Sequence, residues 1–161
     1  MSVTKDQKII QYGTPDGHQP IAQPMKANAS IYGGTIALTD STGYAKSAVT
    51  PASTDTCWGV YNGLKNGTPT VSSPIVAGTA NGDTIIGIDT GSFYLANGTA
   101  GDALAQADIG ATVYVVDEVT VGKTSGSNTR PIAGKLMNIG TAQYAGLVAV
   151  LLGSNQSTGS P

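Results

Sequence analysis

The chain has 161 residues, of which 11% are charged, well below the roughly 25% of an ordinary soluble domain. The net charge of −2, with seven Lys scattered singly, excludes the clustered basic surface that grips nucleic acid. One His, one Cys, one Arg and one Glu leave few groups to move protons or hold metals, whereas Gly, Thr and Ser supply 55 residues, a surface better suited to contact than to chemistry.

Residues 1–28 mix Gln7, Gln11, Gln19 and Gln23 with Pro15, Pro20 and Pro24. Proline at this density opposes helix and strand ladders, which predicts an extended N-terminal arm. Ile9, Ile10, Tyr12, Ile21 and Met25 are too apolar for a solvated tail, so they are the candidate contact residues, expected to lie against this chain's own barrel or a neighbour. The stretch has no apolar core of the secretion-signal kind, and the lone Cys57 forms no internal disulfide. Synthesis in a reducing cytoplasm is the expectation.

Residues 29–153 read as one all-β domain, an antiparallel β-barrel or β-sandwich. Short β-branched runs at 31–39, 56–61, 83–88, 92–95, 112–116 and 119–121 are separated by turn residues. Asn-Gly pairs at Asn62, Asn66, Asn81 and Asn97 predict turns, since both residues tolerate positive φ. Residues 102–109 alone read as helical, one or two turns long, with Asp102 as N-cap and Gly110 as stop. The loop 122–130 has little to bury and is expected to be mobile. The uncharged stretch 136–153 is long enough to raise a membrane span, but Asn138, Gly140, Gln143 and Gly146 interrupt it, so it reads as two strands, 132–139 and 143–151. Residues 154–161 are expected to form a flexible tail.

The sharpest chemical string is Ile88-Asp89-Thr90-Gly91-Ser92, which resembles the active-site turn of aspartic proteases. Those enzymes need two facing carboxylates that share a proton, so a single copy would have to dimerise, with Leu151-Leu152-Gly153 as a second family feature. Between two apolar runs, Asp-Thr-Gly reads more simply as a hairpin turn. Val121-Gly122-Lys123-Thr124 lacks the earlier Gly of a phosphate loop, for Asp117 stands there. Asp83, Asp89, Asp102, Asp108, Asp117 and Glu118 lack the alternating spacing of a calcium loop and read as solvated turn carboxylates. No catalytic residue, metal or cofactor is therefore assigned, and the chain is not read as an enzyme.

The succession 34–39, Trp58-Gly59-Val60-Tyr61, Asp108-Ile109-Gly110-Ala111-Thr112-Val113-Tyr114-Val115, 131–136 and 146–151 resembles the small capsid cement, or head-decoration, proteins of tailed bacteriophages. The resemblance spans roughly residues 30–153 and leaves the arm outside it. It implies a structural virion protein, made in the bacterial host cytoplasm, that coats the outer capsid surface as a homotrimer and clamps neighbouring major capsid protein subunits, without nucleic acid or membrane partners. Independently, strands with few Lys have little to keep their edges from pairing with strangers, which predicts edges covered by sister copies or a partner. The alternatives are another virion or surface appendage, such as a head fibre base or glycan-binding adhesin, and a homodimeric aspartic protease using Asp89.

Overall fold

The computed structural model describes residues 3, 21–69 and 74–153. Its described elements are short strands with three single-turn 3-10 segments, at Ala100–Asp102, Gln106–Asp108 and Ala142–Tyr144, as the β-branched, Gly-punctuated sequence predicts. Among the described residues no helix is long and apolar enough to cross a membrane.

The second half of the chain forms a closed five-stranded barrel. Its strands are β9 (Ser92–Asn97), β10 (Thr112–Val115), β11 (Thr120–Gly122), β12 (Ile132–Ile139) and β13 (Leu147–Leu152), in the order β10-β11-β9-β13-β12. β9 and β11 run parallel, and the other neighbours are antiparallel. Closure leaves no free strand edge, and a barrel of this size is filled by side chains: Phe93, Leu95, Val113, Val115, Val121, Leu136, Val148 and Val150 are buried together.

The first half forms a curled sheet. β1 (Ile21–Pro24), β8 (Ile85–Asp89), β5 (Thr56–Lys65), β3 (Ile36–Thr39) and β4 (Ala45–Lys46) lie in the order β1-β8-β5-β3-β4, with β6 (Thr68–Pro69) added to β5. A separate pair joins β2 (Ser30–Ile31) to β7 (Ile75–Val76). Met25, just after β1, bridges Ala45 of β4 in parallel, and the Lys26 N–H donates to the Ala45 carbonyl at 2.9 Å. The two outer strands of the sheet therefore meet, enclosing a second core of Met25, Ile31, Ala37, Tyr61, Ile75, Ile86 and Ile88.

The middle of the sheet, β3 and β5, packs into both cores. Ile36 and Leu38 of β3 pack into the barrel core and Ala37 into the second core, the alternation a strand requires. On β5, Cys57 and Val60 face the barrel core although they are three apart, while Tyr61 faces the second core. The register with β3 shifts by one residue there, Leu38 opposing Cys57 and Ala37 opposing Gly59. A bulge of this kind reverses the side-chain parity along a strand.

Several expectations are corrected. The arm does not run to residue 28: Ile21–Pro24 pairs with β8 from Ile21↔Ile88 to Pro24↔Ile85. Pro24 is tolerated because it ends an outer strand. The run 31–39 is broken at Gly34, whose φ is 78°, into β2 and β3. The helical structure expected at 102–109 is two single 3-10 turns, Ala100–Asp102 and Gln106–Asp108, rather than one run starting at Asp102. Asp102 caps nothing there, because its carboxylate accepts from the Thr124 N–H at 2.9 Å, from the Thr124 hydroxyl at 2.6 Å and from Arg130. Those same bonds fasten the loop 122–130, as does a 2.7 Å ion pair between Lys123 and Asp108. Asn66-Gly67 is the two-residue turn foreseen, with φ of 51° and 76° between β5 and β6, whereas Asn62-Gly63 lies within β5. Residues 136–153 form most of the antiparallel pair β12–β13.

Candidate interaction surface

Ile9, Ile10 and Tyr12 lie outside the described residues. Of the other two candidate contacts, Met25 is fully buried in the chain's own second core, so it meets this chain rather than a neighbour. Ile21 is half-buried on β1, and among the described residues β1 is an outer strand with β8 on one side.

Ile21 borders an apolar groove. Its walls are Ile21, Ala22, Leu64, Gly67, Ile85, Ile86 and Gly87, around about 170 Å³. The groove exists because β1, β8 and the end of β5 lie side by side while Gly67 and Gly87 contribute no side chain. Ile85 is 43% exposed and Val76 51%. The two are linked through the β5–β6 turn, where the Ile85 N–H donates to Asn66 Oδ1 at 2.8 Å and Lys65 Nζ donates to the Val76 carbonyl at 3.4 Å. Scattered exposed apolar residues are ordinary, but Ile85 lies with Ile21 and Leu64 at a concavity, which is the mark of a contact surface.

Asp89 ends β8, and β8 and β9 belong to different sheets. The segment 89–92 is thus a crossover from curled sheet to barrel, correcting the hairpin reading, and Gly91 supplies the φ of 124° the corner needs. Asn62 Nδ2 donates to Asp89 Oδ1 at 2.9 Å. Gly59 lies beneath, where a Cβ would overlap the Asp89 carbonyl. This carboxylate is fixed by an amide of its own chain.

The other chemical candidates resolve similarly. Burial pushes the Cys57 thiol up to about 12, leaving it protonated and inert at neutral pH. Tyr61 is raised by burial too, and its hydroxyl donates toward the Leu38 and Lys46 carbonyls. A polar cleft of about 360 Å³ is lined by residues including Ser53, Asp55, Tyr114, Asn128 and Arg130. The Asp55 carboxylate is engaged by Lys46 at 2.8 Å and by the Ala52 N–H at 2.7 Å, and Arg130 is engaged by Asp102. Among the described residues no three His, Cys, Asp or Glu gather as a metal site.

Asp117 and Glu118 are buried, correcting their reading as solvated turn carboxylates. Burial pushes Asp117 up, but hydrogen bonds including those from the Val119 and Thr120 N–H groups outweigh it and hold the carboxyl below its ordinary value. Glu118 is 1% exposed and accepts from the Ser47 hydroxyl and the Val3 N–H, both at 2.7 Å. The sequence offered one signal for this site, since Glu118 is the only glutamate in the chain. Compared with known proteins, the chain matches no family, no curated protein and no solved structure.

Proposed function

We propose that this protein is a structural virion component that binds the outside of an assembled phage capsid as a self-associated unit, a homotrimer, and stabilises the shell by clamping neighbouring major capsid subunits. The observation that carries the reading is the apolar groove at Ile21, Leu64 and Ile85, an uncharged recess at the outer strand β1. It supplies the kind of contact expected of a charge-poor coat. Ile9, Ile10, Tyr12 and Ile21 are the proposed contacts on the amino-terminal side. Trivalent attachment to a repeating lattice turns modest contacts into firm binding, because later sites engage at high effective concentration.

The Asn62–Asp89 hydrogen bond favours a structural corner over a protease dyad. The polar cleft beside Tyr114 and Arg130 favours a second reading, a glycan-binding appendage, because one aromatic face among hydroxyls, amides and a guanidinium suits a saccharide. Electron microscopy of shells assembled with and without the protein separates the two: density seated on the outer capsid surface supports the first, and shells left bare at saturating protein overturn it.

A further inference from the structure

The amino end of the chain has a receptor on its own body. Glu118 is almost completely buried, and a carboxylate taken out of water needs donors in its place. The Val3 backbone N–H supplies one at 2.7 Å from 115 positions away, and Ser47 supplies another. The seat is well founded. The Glu118 carbonyl accepts from the Ile36 N–H at 2.8 Å, tying it to the start of β3, and Ser47 directly follows β4.

The other end of the same segment is fixed nearby. Ile21 pairs with Ile88, and five residues later the Lys26 N–H donates to Ala45, two positions before Ser47. We infer that Glu118 and Ser47 form a latch that holds this chain at Val3, a second point of attachment to the body ahead of the one at Ile21.

Holding the chain at Val3 removes part of the ordering cost of binding there. Any effect on capsid affinity rests on the proposed capsid attachment; the latch itself does not.

Val3→Pro tests it, since proline lacks the N–H that Glu118 accepts. Hydrogen exchange should show protection at the amino terminus of the full chain, lost in Val3→Pro and in Glu118→Ala. Effects of the two changes should be strongly non-additive in a double-mutant cycle, and capsid affinity should fall about ten-fold, the loss of one hydrogen bond to a charged acceptor. Exchange at free-peptide rates in the unaltered chain, or additive effects, overturns the latch. If the unaltered protein shows the protection yet never binds capsids, the proposed function fails and the latch stands.

Discussion

Met25 bridges Ala45 in parallel register, joining the first described strand to the far edge of the curled sheet. The side chain that makes this closure is fully buried. Residues 21–25 are therefore part of the folded body, and the place at which the amino-terminal segment is cut decides whether the domain survives.

Deleting residues 1–20 should leave a folded β domain with a cooperative thermal transition. Deleting residues 1–28 removes β1 and Met25 and should lower the melting temperature sharply or give insoluble protein. Met25→Ala isolates the packing share and should cost about 2–5 kcal/mol. Equal melting temperatures for the two deletions would contradict the closure at Ala45.

Much of this architecture was legible in the sequence. The strands β8 to β13 follow β-branched runs bounded by Gly and Asn, and the Asn66-Gly67 turn follows from backbone permissiveness. β1 was hidden because proline weakens ladders in general but is tolerated at the end of an outer strand, a position known only from the assembled sheet. Alanine-rich residues 102–109 suggested a helix, yet Asp102 was drawn to Thr124 and Arg130, and Ala100 adopts a φ of 52°. The assignment of β5 side chains to two cores depended on a bulge that no periodicity reveals. Glu118 stood out only by its rarity.

Asp89→Asn should leave folding and assembly intact, because an amide oxygen can still face Asn62 after local reorientation. Asp89→Ala should cost about 1 kcal/mol, the net worth of one hydrogen bond. Proteolysis with an acid optimum in the unaltered protein that vanishes in Asp89→Asn would contradict the structural role.

Acid should weaken the fold through the loop 122–130. Burial raises the Asp102 carboxyl, but hydrogen bonds from Thr124 and Arg130 outweigh it and lower the net value; a hydrogen bond from Lys123 lowers Asp108. With folded values below unfolded ones, the stabilisation is present above the ordinary carboxylate pKa of about 3.9. It is lost as pH falls through the folded values. Denaturation measured at a series of pH values should show stability falling below about pH 4, less steeply in Asp102→Asn; stability rising on acidification through that range would contradict the assignment.

Gly59 and Gly134 are among the glycines that mark close backbone approaches. A Cβ at Gly59 would overlap the Asp89 carbonyl, and one at Gly134 the Leu151 carbonyl, whereas one at Gly101 meets nothing within 4 Å. Gly59→Ala and Gly134→Ala should each destabilise by about 1–3 kcal/mol or more as strands are forced apart, while Gly101→Ala should stay within about 0.5 kcal/mol of the unaltered chain. Chemical denaturation of the three variants side by side gives the comparison.

The groove at Ile85 provides the direct test of the surface. Ile85 is 43% exposed, so a charge placed there can remain hydrated when the chain is alone, and Ile85→Asp should leave the melting temperature nearly unchanged. In an assembly that covers the groove, the same carboxylate would lose its water without gaining a partner, a penalty of several kcal/mol per site. Light scattering should then show Ile85→Asp as a smaller species than the unaltered protein, and decoration of capsids should fall with it. Ile109→Asp is the matched control, since Ile109 is 43% exposed and lies outside both the groove and the polar cleft. If both variants self-associate and decorate shells as the unaltered chain does, the groove is ordinary solvent-facing surface; if both fail alike, general charge and not the groove governs assembly.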